Sequence, residues 1–389
     1  MILKRFVVIC LCALLFNLFY LTQGFGEPAT RDKPPKIKAS AACLMDVSTG
    51  QIYFQKEGDK RREPASLTKV MTAILAIENG NLKDVVTVGK RASAVSMGQD
   101  IGLRTGDRLY LEDLLKAALM YSANDSTVAI GEHIGGSHDM FVKMMNDKAR
   151  VLGMKNTRFA NTNGYHHPSH YTTANDLAIL TSYALKNHTF AELVKTEETT
   201  ITWLPREDSA LTQKDTENNS RERTIRNTNR LLRSDFEGID GVKTGTTPRA
   251  GNCLIASATR AGRQLVVVIL NSNNRWNDAT GLLEFGFNEV RPVVLAEKDE
   301  HLGKLQVIEG VEKEVTLVAA NRVEVYLAQY DVGKIEERKN LTESPRAPIL
   351  KGAKLGSVTY ILHGKEIASV DLIANQNIER VSWLKRVFQ

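Results

Sequence analysis

Apolar residues are spread along the chain in several distinct textures, and each predicts a different kind of element. From Phe6 to about Leu21 the sequence is almost wholly apolar, with Lys4 and Arg5 before it and small or turn-forming residues after it. That order predicts an export signal over residues 1–26. The run is a little short of the roughly 20 residues a spanning helix needs, and an uncleaved membrane anchor is the competing reading. After the charged connector RDKPPKIK, alternation around a Ser-Thr-Gly turn predicts a hairpin from about Ala41 to Gln55. The period then changes. In EPASLTKVMTAILAIENG, Val70, Ile74 and Ile77 recur at helical spacing, Pro64 suits a first helical position, and Gly80 after Asn79 is a stop signal.

Helical periodicity continues through LEDLLKAALMYSANDSTVAIGEHI and SHDMFVKMMNDKARVLGM, and TTANDLAILTSYALKN opens on a Thr173-x-x-Asp176 capping pattern. Helices therefore dominate from Pro64 to about Asn187. Strand-forming segments return at IDGVKTGTT, GNCLIASATRAG and RQLVVVILNS, so one sheet built from both ends of residues 36–291 is the economical fold. Before those strands, REDSALTQKDTENNSRERTIR is nearly free of apolar residues and reads as a solvated loop or extended hairpin. From about Pro292, alternation with Gly-bearing turns predicts a small all-β domain over 292–375. At the end, Ile378, Val381, Leu384 and Val387 or Phe388 share a helical face opposite Arg380, Lys385 and Arg386. A short amphipathic helix over 376–389 is expected, either as an interfacial membrane contact or packed on the β domain. The fold class is α+β.

Composition narrows the picture modestly. A chain of 389 residues that is 42% hydrophobic can bury a large core and is long enough for two domains after a leader. The net charge is +6, or +4 once Lys4 and Arg5 are removed, with no basic patch that implies nucleic acid. Cys10 and Cys12 fall in the leader, which leaves Cys43 and Cys253 far apart. Two cysteines make no disulfide framework, and they read as buried thiols on strands unless the fold brings them together. His166, His167 and His170 in GYHHPSHY have no acidic cluster beside them and are interrupted by Pro168, so they read as a surface or cleft-rim loop rather than a metal site.

Three short strings carry the chemistry: Ser66-x-x-Lys69 at the helix start, Ser122-x-Asn124 in MYSANDS, and Lys243-Thr244-Gly245 in GVKTGTT. A spacing of three puts Ser66 and Lys69 on one face, and free N–H groups in the first turn favour developing negative charge on Ser66. A serine hydroxyl needs a base to become a nucleophile, and lysine serves only when neutral. Partial desolvation, and the charge of Lys243 if the fold brings it near, favour that neutral form. The first two strings recur at Ser382-x-x-Lys385 and Ser272-x-Asn274, so order and setting supply the specificity. Helix capping is the bland alternative for Ser122 and Asn124. Lys-Thr-Gly occurs once, on a strand that can pair with an extended peptide, and Gly245 lets that backbone approach closely.

In this order the three strings are those of class A β-lactamases and penicillin-binding proteins. The chain resembles the low-molecular-weight penicillin-binding proteins, specifically the serine-type D-alanyl-D-alanine carboxypeptidases. AACLMDVSTGQIYFQKEGDKRREPASLTKVMTAI, SMGQDIGLRTGDRLYLEDLLKAALMYSANDSTVAIGEHIGG, GMKNTRFANTNGYHHPSHYTTANDLA and the segments NTNRLL and GIDGVKTGTT follow that family's pattern over roughly Ala41 to Ser272, and PILKGAKLGSVTYILHGKE resembles its C-terminal domain more weakly. The resemblance implies a β-lactamase/transpeptidase-like catalytic domain, with an antiparallel sheet and a helical cluster, over 36–291. It implies Ser66 as nucleophile, Lys69 as its base, and Ser122 as a proton relay to the leaving D-alanine. Asn124 would bind the substrate backbone or orient Lys69, and Lys243 and Thr244 would hold the terminal carboxylate. The N–H groups of Ser66 and Thr246 would form the oxyanion hole. Substrates would be peptidoglycan stem peptides, β-lactams would inhibit, no metal or organic cofactor is implied, and the site would face outside the cytoplasmic membrane. Some members carry an arginine where this chain has Thr228; Arg226 or Arg230 could substitute, or Lys243 and Thr244 suffice. A class A β-lactamase is disfavoured because no Glu-x-x-x-Asn string of that type lies between Asn124 and Lys243. A D,D-endopeptidase, or a catalytically silent peptidoglycan-binding or penicillin-sensing module, stays open as an alternative.

Overall fold

The structure, a computed structural model, describes residues 34–205 and 221–382; the stretch read as an export signal lies outside them. The anticipated hairpin forms, β1 (Ala41–Asp46) pairing antiparallel with β2 (Ile52–Lys56). The helical block follows as α1 (Lys69–Asn79), α2 (Leu111–Lys116), α3 (Asn124–Gly135), α4 (His138–Val151), α5 (Ala174–Leu185) and α6 (His188–Lys195). Thr173 caps α5 as expected, its side chain accepting from Asp176 N–H. Woven through this block is a sheet that the hydrophobic pattern does not announce, in the order β3 (Val85–Thr87), β4 (Arg108–Tyr110), β5 (Glu198–Leu204) and β6 (Arg221–Arg226). Two of its strands are three residues long, too short for alternation to register. The strand β6 is the end of the segment read as a solvated loop or extended hairpin, and it pairs antiparallel with β5 as the hairpin reading requires. Its Arg221 guanidinium lies 4.3 Å over the Trp203 ring, so a polar strand is held by a cation–π contact.

The strands β7 (Ile239–Thr247), β8 (Gly251–Arg260) and β9 (Arg263–Leu270) return to the first hairpin, giving an antiparallel sheet of order β2-β1-β9-β8-β7 built from both ends of this region. Side chains alternate between two cores. Cys43, Met45, Val266 and Val268 face the core shared with α1 and α5, whereas Ala42, Leu44, Leu265 and Val267 face the one shared with α7 (Arg275–Asn288). A sheet covered on both faces needs apolar residues at every position, which is why β8 and β9 read as near-continuous hydrophobic runs. Cys43 and Cys253 are free and buried within this sheet.

One residue after α7 begins β10 (Val290–Ala296), followed by β11 (His301–Gln306), β12 (Glu314–Ala319), β13 (Val323–Ala328), β14 (Glu336–Leu341), β15 (Lys354–Leu362) and β16 (Lys365–Ala374). The pair β10–β13 stands beside a five-stranded sheet of order β11-β12-β16-β15-β14. The β-rich region is tied to the first sheet by Arg263, whose guanidinium sits between the rings of Tyr53 (4.8 Å) and Tyr326 (4.7 Å). The helix expected over 376–389 is corrected where the structure describes it. Ile378 is 1% exposed in the β-rich core and pairs through its backbone with Ile349, and Val381 N–H donates to Glu309 O at 2.9 Å. Backbone pairing on either side of one core residue holds this segment extended despite its helical spacing of apolar residues; residues 383–389 lie outside the described part.

Candidate active site

The nucleophile candidate lies in a 3-10 turn, Ala65–Thr68, that leads directly into α1, so Lys69 is the first α-helical residue. Spacing and helix geometry bring Lys69 Nζ to 2.9 Å from Ser66 Oγ. The helical segment that starts at Leu111 is broken where the Ser122-x-Asn124 string falls. The helix α2 widens into a π turn over Ala117–Tyr121, Ser122 takes a left-handed φ of 71°, and α3 restarts at Asn124. That break points Asn124 at the lysine, with Oδ1 2.7 Å from Lys69 Nζ, while its Nδ2 donates to Met97 O at 2.8 Å and fixes the orientation of the amide. The neighbouring Asp125 carboxylate accepts from the N–H groups of Ile101, Leu103 and Ser126, which anchors the 97–103 segment against α3.

A third contact of Lys69 Nζ, to Asn163 O at 2.8 Å, comes from a loop with no motif signature. Lys69 is fully buried, and its pKa is held well below the usual lysine value, first by desolvation and then by the positive charge of Lys243; Asp125 opposes this weakly. A neutral amine has two N–H donors and one lone pair. The Asn124 Oδ1 and Asn163 O atoms can only accept, so they take both donors, and the lone pair is left facing the Ser66 hydroxyl. The geometry arms a serine.

The opposite wall is β7. Lys243 is buried and its Nζ donates to Thr244 O at 3.0 Å; burial first, and then the charge of Arg275, bring its pKa down to about 7. Gly245 pairs with Cys253 of β8 and lies so close to the nucleophile turn that a Cβ there would sit 3.2 Å from Ser66 N. The missing side chain is what lets the β7 backbone reach the first turn. Thr246 Oγ1 donates to Gly245 O at 2.7 Å, and Arg275 Nη1 donates to Gly245 O and Thr246 Oγ1 at 3.1 and 3.0 Å. Arg275 carries no motif, and only the structure reveals it.

Between these walls lies a cleft of about 860 Å³ lined by Ser66, Ser122, Asn124 and Thr244–Thr246, with Lys69 and Lys243 beneath its surface. All eight candidate residues are thus gathered at one place. The decoys separate cleanly: Ser272 donates to Asp278 within the start of α7, and Ser382 lies in the extended C-terminal segment. Thr228, which stands where some family members carry an arginine, hydrogen-bonds Thr244 at 2.6 Å through the two hydroxyls. His166 and His167 lie on a loop beside a smaller cavity, in keeping with the surface or cleft-rim reading, whereas His170 departs from it, being 3% exposed beneath the Ser66 turn.

Comparison with known proteins identifies the family. A family model described as D-alanyl-D-alanine carboxypeptidase matches residues 28–274, and one described as penicillin-binding protein 5, C-terminal domain, matches residues 291–380. The D-alanyl-D-alanine carboxypeptidase DacF of Bacillus subtilis (strain 168) is 29% identical over 98% of this chain and 97% of its own length; DacC of Escherichia coli (strain K12) is 32% identical over 96% and 92%. The crystal structure of penicillin binding protein 5 from Haemophilus influenzae matches with a TM-score of 0.65 at 28% identity, covering 90% of this chain and 99% of that one. With a family model spanning more than half its length and these relatives matching nearly end to end, this chain belongs to the D-alanyl-D-alanine carboxypeptidase family of serine peptidases.

Proposed function

We propose that this protein removes the terminal D-alanine from peptidoglycan stem pentapeptides through an acyl-enzyme on Ser66, and that β-lactams acylate the same oxygen. The observation that carries the reading is the lone pair of Lys69, left over by two obligate acceptors and aimed at Ser66 Oγ. Ser66 Oγ attacks the penultimate D-alanine carbonyl while its proton passes to Lys69 Nζ. The N–H groups of Ser66 and Thr246 stabilise the resulting oxyanion. The C–N bond then breaks, the proton returns through Ser122 Oγ to the leaving amine, and D-alanine departs. Water attacks the ester carbonyl, giving a proton to Lys69 Nζ, which passes it to Ser66 Oγ as the ester C–O bond breaks, releasing the shortened peptide and restoring Ser66 and neutral Lys69. Release of D-alanine from a soluble peptide ending in D-Ala-D-Ala, absent in Ser66→Ala, tests this reading. If penicillin adds its mass at Ser66 but no D-alanine appears, the endopeptidase or sensor alternative takes its place.

Recognition of the free carboxylate falls to Lys243, Thr244 and one further cation. Arg226 is paired with Glu198 at 2.9 Å, and Arg233 donates to Asn227 O. Arg230 is exposed on the cleft and has no ion-pair partner among the described residues. It is the group that takes the place of the arginine missing at Thr228. Arg230→Ala should lower kcat/KM for a free-acid peptide about 10–100-fold, mostly through KM, the loss of one charge-assisted hydrogen bond. The same peptide with an amidated C-terminus should be almost insensitive to the substitution. An equal effect on both would remove Arg230 from the carboxylate site.

The lysine pair sets a pH window. Lys243 grips the carboxylate only when charged, so kcat/KM, which reports the free enzyme, should fall as pH rises through about 7. Stability moves the other way. Between a folded pKa of about 7 and the unfolded lysine value, the unfolded chain binds the extra proton, so this group's contribution to stability grows with pH across that interval. A pH–rate profile recorded beside thermal melts separates the two, and an alkaline loss of activity that tracks a falling Tm would contradict the assignment.

A cell-envelope location, with residues 1–26 as the leader, fits an enzyme whose substrate is the peptidoglycan of bacteria such as those that carry its relatives. No helix among the described residues is long and apolar enough to cross a membrane. The β-rich region, 292–375, would hold the catalytic domain away from the membrane surface.

A further inference from the structure

Ala65, immediately before the nucleophile, has a φ of +49°, a left-handed conformation that costs energy in a residue with a Cβ and persists only where its surroundings enforce it. Its carbonyl accepts from Thr68 Oγ1 at 2.9 Å. Thr68 Oγ1 is in turn 2.9 Å from His170 Nε2, and His170 Nδ1 lies 3.2 Å from the Ala160 backbone nitrogen. The direction of this chain is determined by its ends. A backbone N–H can only donate, so Nδ1 is the bare nitrogen; the ring proton therefore sits on Nε2 and is donated to Thr68, whose own hydroxyl proton goes to Ala65 O.

His170 and Thr68 are buried, and Phe159 meets the imidazole edge-on at 5.7 Å. Burial, with a smaller effect from His167, pulls the imidazole pKa down to about 3, so the ring is neutral near pH 7. Both ring nitrogens of this buried imidazole are taken up in the chain from Ala160 N–H to the strained turn. The ring is a strut.

We infer that His170 is a positioning residue: acting through Thr68, it holds the Ala65 carbonyl in its left-handed setting and so fixes the Ser66 N–H and Oγ where acyl transfer needs them. The inference rests on Ser66 being the nucleophile. It predicts a requirement for one acceptor and one donor at position 170, not for an imidazole as such. Glutamine supplies both; leucine supplies neither.

The test uses the full chain with Ser66 acylation by penicillin followed by mass, and with kcat and KM on a D-Ala-D-Ala peptide. His170→Leu should slow acylation and lower kcat roughly 10–100-fold, the scale of a small misplacement of reacting groups, with KM changed less than about threefold. His170→Gln should recover most of the rate. Thr68→Val, which keeps the shape but breaks the same chain, should lose as much as His170→Leu, and the double variant little more than either alone. If His170→Leu does not fold, Thr68→Val and His170→Gln carry the test. Unchanged rates in Thr68→Val, or a glutamine variant as slow as leucine, would overturn the inference. A wild-type protein that neither releases D-alanine nor takes up penicillin would instead sink the reading of Ser66 on which it depends.

Discussion

Lys69→Arg should abolish acylation of Ser66, lowering the rate with penicillin and with a D-Ala-D-Ala peptide by about 10⁴-fold, the upper range for losing a general base. Arginine keeps N–H donors that can still reach Asn124 Oδ1 and Asn163 O, so a purely hydrogen-bonding role for position 69 would survive the exchange in large part. What it cannot provide is a lone pair, because a guanidinium is not deprotonated in proteins. The substitution therefore isolates the one property that the site's geometry assigns to Lys69: an amine whose two protons are claimed elsewhere and whose free electron pair faces the serine. Intact-mass measurement after penicillin exposure, with a thermal melt to show that the variant is folded, decides the matter. A folded variant retaining more than a tenth of the wild-type acylation rate would show that another group takes the proton.

The candidate residues that the structure gathers at the cleft left a mark in the sequence because each is tied to local structure. Ser66 and Lys69 need only helical spacing to meet, Ser122 and Asn124 need only the interruption of a helix, and Lys243 to Gly245 need only a strand. Long-range partners left no such trace. Asn163 O reaches Lys69 across 94 residues as a backbone atom, and any residue type could have supplied it. Arg275 acts on β7 from the start of a helix whose sequence advertises only packing. The short strands β3 and β4 were invisible because three residues cannot show a period. At the chain's end the helical period of Ile378 and Val381 was misleading, since pairing with Ile349 and Glu309 decided the backbone. His170 does not share the surface or cleft-rim setting of its neighbours for the same reason: its burial depends on Phe159 and Thr68, neither of which is marked by spacing.

Gly164→Ala should be among the most damaging single substitutions outside the motifs. Gly164 has a φ of +87°, and a Cβ there would lie 1.7 Å from Ala65 O and 2.9 Å from Thr68 Oγ1. The first distance is far inside van der Waals contact with a backbone atom that cannot rotate away, so either the loop or the nucleophile turn must move by more than an ångström. If the loop moves, Asn163 O withdraws from Lys69 Nζ and the amine regains a free donor; if the turn moves, Ser66 leaves its place against β7. Both routes lower the acylation rate, by roughly 100-fold for a displacement of that size. The melting temperature should fall by several degrees as well, because the clash adds to the cost of a left-handed alanine. Gly153→Ala provides the control. Gly153 has a φ of +75° but open space around its Cβ direction, so it carries the backbone cost alone, about 1 kcal/mol, and leaves acylation unchanged. Equal behaviour of the two alanine variants would mean that the loop bearing Asn163 and Gly164 is free to shift without disturbing Ser66, and the close packing of that loop on Ala65 would then have no part in the chemistry.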